Sequence, residues 1–170
     1  MTAIWERKMK GNDRVIASLN GLLHNELAAI DQYFIHSRMY EDWGMHELFT
    51  QLNHEMEEEI THADALIKRI LFLEGVPNLK DRRDLLIGID VEEMLKNDLI
   101  LEMEVVDALK STIALCEVEK DYQTREVLLK LLEDTEEDHV YWLEQQIGLI
   151  SRIGLANYIQ SKMKKEADKA

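Results

Sequence analysis

A chain of 170 residues with one proline and seven glycines cannot punctuate an all-β fold, and its abundant Leu, Glu, Lys, Ala and Met suit long helices, so one all-α domain is expected. Thirty-four acidic residues against twenty basic ones leave a net charge of −14, which argues against nucleic acid or anionic membrane as partners and suits metal cations. A single cysteine, Cys116, excludes an intramolecular disulfide and a four-thiolate cluster and fits a reducing cytoplasm, and no apolar run approaches the ~20 residues of a membrane span.

Residues 1–11 read as an irregular arm, with Trp5 outside any periodic pattern and Met9 a second possible translation start beside Met1. From Asn12 or Asp13 a helix is predicted over about 13–43, with Val15, Leu19, Leu22, Ile30, Tyr33 and Ser37 at helical spacing and Glu26 within that stripe. The turn at Trp43-Gly44 is too short for anything but an antiparallel return, giving a second helix over about 45–74. Its stripe is Phe49, Leu52, Met56, Glu59, Ala63, Leu66, Ile70 and Leu73, with His62 beside it.

Gly75-Val76-Pro77-Asn78 stops that helix, and an irregular, basic-containing segment follows through Gly88 before Asp90 and Val91 start a third helix, a connection spanning 75–90. A connection of that length can run the length of a bundle and lay the third helix, about 90–119, parallel to the second. The third helix carries Leu95, Leu99, Glu102, Val106, Leu109, Ile113 and Cys116 inward; the fourth, about 121–150, carries Leu129, Leu132, Glu136, His139, Leu143 and Ile147. A short fifth helix over about 155–165 has a stripe of Leu155, Tyr158, Ile159 and Met163 that needs a partner, such as another subunit. Helices near 30 residues are about 45 Å long at 1.5 Å per residue, so the expected fold is a four-helix bundle with one long crossover between helices two and three plus the short fifth helix.

Glu59 and His62, three apart on one helical face, form a pair suited to one metal ion, and Glu136 and His139 repeat the spacing. The bare glutamates Glu26 and Glu102 precede these pairs by 33 and 34 positions, which implies a pseudo-two-fold site fed by two helical hairpins. Burying four carboxylates and two imidazoles without compensation costs several kcal/mol per ion, and no Lys or Arg lies on those inner stripes to pair with them. Two divalent cations supply that compensation. Carboxylate and imidazole ligands without thiolate suit iron, manganese or zinc, of which iron is the choice here.

With Asn25-Glu26-Leu27, Asp31-Gln32-Tyr33-Phe34, His62-Ala63-Asp64, Ile70-Leu71-Phe72-Leu73-Glu74-Gly75, Val91-Glu92-Glu93-Met94-Leu95 and Tyr141-Trp142-Leu143-Glu144, the chain resembles the bacterioferritins and related bacterial ferritins from about Met9 onward. The resemblance implies a ferritin-like domain over 12–170, with Glu26, Glu59 and His62 holding one iron, Glu102, Glu136 and His139 the other, and Glu59 and Glu136 bridging. It further implies ferroxidase activity, which oxidises Fe(II) with oxygen or peroxide, and storage of the ferric mineral in a cytoplasmic shell of twenty-four subunits. An electron-donor protein would serve iron release. Tyr33 stands where family sites carry a nearby tyrosine, and His54 with Glu58 matches an additional iron position on the inner surface of some members.

One position departs from the family pattern. Haem-carrying members place a methionine directly after the bridging glutamate of helix two; here that residue is Ile60, whose alkyl side chain cannot ligate iron. Haem is therefore not expected in a homomeric shell. Met56, one turn earlier, is the alternative thioether, although its place on the apolar stripe suits a core role; a shell mixed with a haem-binding subunit is the other route. The competing function is a non-catalytic shell subunit whose metal site is structural or an iron entry pore.

Overall fold

Asn12 starts the first helix by accepting the Arg14 backbone N–H on its side chain at 2.8 Å, as an N-cap does. The computed structural model describes residues 10–163, so the expected arm through Met9, with Trp5, and the C-terminal tail lie outside the described residues. Its elements are α1 (Asp13–Asp42), α2 (His46–Phe72), α3 (Val91–Glu119), α4 (Tyr122–Asp134), a π-helical turn (Thr135–Val140), α5 (Tyr141–Ile153) and α6 (Leu155–Lys162). This is the expected all-helical architecture, a four-helix bundle with a short C-terminal helix. The rod expected as one fourth helix is α4, the π turn and α5 in series.

Gly44, at φ 77°, turns α1 back onto α2 in a conformation that β-carbon-bearing residues avoid. The crossover then runs up the side of α1: Val76 and Asn78 bond Asn20, Arg82 pairs with Asp31, Leu86 bonds Gln32 and Gly88 bonds His36. Near its end Gly88 passes so close to α3 that an added Cβ would sit 2.6 Å from the Met94 nitrogen. Asp90 then caps α3 through the Glu93 N–H. The crossover thus sets α3 parallel to α2, and the α3 hairpin closes at Lys120.

Leucines 19, 22, 48, 52, 66 and 109, none more than 1% exposed, belong to a core shared by all four long rods. The inward stripe of the fourth rod differs from the expected one. Leu128, Leu131 and Thr135 are buried, while Leu129 is 37% exposed and Leu132 and Glu136 are only partly covered. A π turn holds more residues per turn than an α-helix, so residues four apart share a face and residues three apart diverge. Thr135 therefore points in with His139, and Glu136 rotates off. The α6 stripe finds its partner within the chain: Tyr158 is fully buried and donates to Gln146 Oε1 of α5 at 3.0 Å, and Lys162 pairs with Glu47 of α2.

Asp121 clamps the far end of the bundle. It accepts the Thr124 N–H as the α4 N-cap and pairs with Arg69 of α2 at 3.0 Å. Burial raises its pKa, but the bonds from Thr124 and the Arg69 charge outweigh this and hold it below the usual carboxylate range. Because the folded value lies below the unfolded one, this stabilisation is present above the unfolded pKa and is lost as pH falls through the folded pKa. Asp121→Ala is expected to lower thermal stability by about 1–3 kcal/mol at neutral pH, with the difference from wild type shrinking in acid, as followed by circular dichroism.

Candidate metal centre

Midway along the bundle, four rods turn acidic or imidazole side chains inward where they otherwise carry aliphatic ones. Glu26 from α1, Glu59 and His62 from α2, Glu102 from α3 and His139 from the π turn are each no more than 4% exposed. They form two overlapping groups, Glu26, Glu59 and His62, and Glu59, Glu102 and His139, with donor atoms within 4.8 Å of one another in each. Glu59 belongs to both. Its Oε2 lies 3.2 Å from His62 Nδ1 and its Oε1 lies 2.8 Å from His139 Nδ1, so the two oxygens of one carboxylate address two positions. The imidazoles stack with ring centres 5.8 Å apart.

Several donor atoms here make no hydrogen bond of proper geometry: both oxygens of Glu26, Oε2 of Glu102 and Nδ1 of His139, the last although Glu59 Oε1 lies 2.8 Å away. Leaving such atoms buried and unpaired is costly, and a hard or borderline cation taking oxygen and imidazole ligands removes the cost at every one of them. The donor set therefore fits divalent iron, and equally manganese or zinc.

Burial pushes the Glu26 carboxyl well above its usual range, and the charges of Glu59 and Glu102 push it further. Glu102 is raised for the same first reason. Burial would also raise Glu59, but the neighbouring Glu26 carboxyl and the His139 and His62 imidazoles outweigh it and hold Glu59 below the usual carboxylate range. Burial opposes protonation of His139 and His62, yet their bonds to neighbouring carboxylates raise both. Tyr33 donates its hydroxyl to Glu102, and burial raises that phenol too.

Glu136, expected as the second bridge, does not join this group. Rotated outward by the π turn, it is half-exposed and pairs with Lys110 at 2.5 Å. That lysine also departs from the expectation that no cation would face the cluster's carboxylates. Glu55 takes up a position that sequence reasoning missed. It is 3% exposed and its Oε2 lies 2.8 Å from His139 Nε2, beside Glu58 Oε2 at 3.1 Å. The available signal was its register, since Leu52, Glu55, Glu59, His62 and Leu66 follow helical spacing more closely than a stripe through Met56.

The remaining candidates divide. His54 and Glu58 do meet, at 3.3 Å, on the wall of a cleft of about 260 Å³ that is also lined by Glu55, Glu137 and Asp138 and leads to His139. Met56 is partly buried against the hydrophobic core, and Ile60 is 50% exposed on the outer side of α2.

Comparison with known proteins places the chain in a family. The family described as Ferritin-like domain matches residues 16–153. The bacterial ferritin of Pseudomonas aeruginosa is 59% identical over 155 residues, 91% of this chain and 100% of that protein, and the bacterial ferritin of Synechocystis is 57% identical over 155 residues, 91% and 99%. A bacterioferritin of Mycolicibacterium paratuberculosis is 39% identical over 150 residues, 88% of this chain and 94% of that protein. A bundle with two paired carboxylate–histidine groups at its centre, matched along nearly its whole length by such relatives, belongs to the ferritin family, among the bacterial ferritins and bacterioferritins.

Proposed function

We propose that this chain stores iron, oxidising Fe(II) to Fe(III) at the buried centre and passing the product into a hollow oligomeric shell. The observation that carries the reading is Glu59, whose two oxygens face two imidazoles across a cluster of unpartnered carboxylate oxygens. Two Fe(II) ions are the substrate. Glu26 and His62 would take one and Glu102 and His139 the other, with Glu59 shared, so that both electrons leave together to oxygen or peroxide. Five protein residues for two ions leave room for the oxidant. As ions enter, Glu26 and the histidines would give up the protons they hold.

The acidic cleft of His54, Glu55, Glu58, Glu137 and Asp138 supports a cation route between the centre and one surface of the subunit. Oligomerisation is supported by the apolar outer face of α1 and α2, where Phe34, Ile60, Leu71 and Phe72 are each at least half exposed. We propose the family's twenty-four-subunit shell as its product, built from a unit spanning residues 12–170. The half-exposed Ile60 and core-packed Met56 support a haem-free homomeric shell; haem would enter only in a mixed shell with a haem-binding subunit, and a separate electron-donor protein would serve iron release. The lone buried thiol of Cys116 and an acidic surface suit the cytoplasm, and no helix among the described residues is long and apolar enough to cross a membrane.

Stepwise Fe(II) addition to metal-free protein under oxygen or peroxide, followed by absorbance, tests this reading. A fast phase saturating near two irons per chain, with no haem Soret band beforehand, is expected. Slow oxidation at the rate of free iron would instead favour a structural subunit or an entry pore.

A further inference from the structure

One helical turn from the metal centre, in the same seam between α1 and α3, lies a second buried polar cluster that the proposed chemistry does not use. Gln32, His36 and Asp98 are each no more than 1% exposed. Asp98 Oδ1 receives Gln32 Nε2 at 2.8 Å and lies 2.8 Å from His36 Nδ1. The outer atoms of the cluster hold the crossover: Gln32 Oε1 accepts the Leu86 N–H at 2.9 Å, and His36 Nε2 accepts the Gly88 N–H at 3.1 Å.

That last bond decides the tautomer. A nitrogen that accepts a backbone N–H carries no proton, so His36 is neutral and its Nδ1–H donates to Asp98. Every bond of the imidazole is then committed in one direction, from Gly88 through His36 to Asp98. Asp98 stands one turn before Glu102 on the same face of α3, and Gln32 and His36 flank Tyr33 on α1, whose hydroxyl binds Glu102. The α1–α3 seam is thus tied by two successive rungs: Tyr33 to Glu102 at the centre, and Gln32 with His36 to Asp98 beside it.

We propose that His36, Gln32 and Asp98 are positioning residues that brace the Glu102–His139 half of the metal centre and couple it to the crossover. The inference rests on the metal-centre reading above. The groups on the other half, Glu26, Glu59 and His62, come from α1 and α2 alone and do not depend on the α3 register. Loss of the network should therefore weaken one metal position and spare the other, whereas a general loosening of the bundle would weaken both. Outer partners of this kind typically change metal affinity by about 10- to 100-fold.

The test is anaerobic Co(II) titration, read by ligand-field absorption, of wild type, His36→Ala and Asp98→Asn as assembled full-length protein, with amide exchange of Leu86 and Gly88 measured in parallel. Wild type should bind two equivalents per chain. His36→Ala should exchange the Gly88 amide faster and lose at least tenfold in affinity for one equivalent only. Asp98→Asn keeps an oxygen where Gln32 and His36 donate, and it should retain both equivalents. It also serves if His36→Ala fails to fold: the network is then overturned as a positioning device if Asp98→Asn weakens both equivalents alike. Unchanged Co(II) binding in a folded His36→Ala overturns the inference while leaving the metal centre standing. Failure of wild type to bind Co(II) overturns the centre and the inference with it.

Discussion

Glu59→Ala is expected to remove both metal positions at once. Its two oxygens serve two imidazoles, so no other single replacement among the five inward donors strips a ligand from both groups. Because even outer partners of metal ligands are worth about 10- to 100-fold in affinity, loss of a shared ligand should cost on the order of 100-fold or more at each position. The fast phase of Fe(II) oxidation should vanish in stopped-flow absorbance. Size-exclusion chromatography should show the same assembly as wild type, because the buried Glu59 side chain touches no outer face. His62→Ala should be milder, leaving Glu59, Glu102 and His139 in place. Normal fast oxidation by Glu59→Ala would move the chemistry elsewhere on the subunit.

The second large effect concerns protons. Glu26 is fully buried, meets no donor, and holds its proton well above the usual carboxylate range. The folded pKa therefore exceeds the unfolded one. Above the unfolded value the folded chain keeps a proton that the unfolded chain has lost, so metal-free stability falls as pH rises toward the folded pKa. A full proton of difference gives a slope of about 1.4 kcal/mol per pH unit. Glu26→Gln, which mimics the neutral acid, should flatten that slope in denaturant unfolding measured from acid to neutral pH. Metal binding to wild type should release protons at neutral pH, seen as a buffer-dependent heat in calorimetry, and Glu26→Gln should release fewer. A buffer-independent heat would mean that the carboxylates are already ionised.

The architecture was legible in the sequence because hydrophobic period, caps and punctuation agree. Asn12, Asp90 and Asp121 cap where their side chains suggest, and a connection too long for a turn proves to be a strap along α1. The bare glutamates Glu26 and Glu102 stood out because each interrupts an aliphatic stripe. Glu136 and Glu55 went astray for one reason: the spacing rule assumed unbroken α-helix. The π turn exchanges which residues share a face, and no local propensity in Thr135-Glu136-Glu137-Asp138 announces it. Lys110 was invisible as a partner for the same cause, since only an outward Glu136 can reach it. Gln32, His36 and Asp98 could not be read as one cluster because their partners, the Leu86 and Gly88 backbone and one another's side chains across α1 and α3, lie more than 50 positions away.

The crossover also bears on the order in which this protein becomes itself. The α1–α2 hairpin is joined by the three residues Trp43, Gly44 and Met45, and α3 meets α4 through Lys120 and Asp121 alone, so each hairpin is a local folding unit. Their docking must wait for the long strap to close, which carries a loop entropy cost. Glu26, Glu59 and His62 all lie in the first hairpin, whereas Glu102 and His139 arrive with the second. One metal position can thus form before the bundle is complete, and the other exists only once the hairpins have docked. On the proposed reading, iron at the second position would favour the finished bundle over its separated halves, which would make the cargo a late-acting chaperone of its own container.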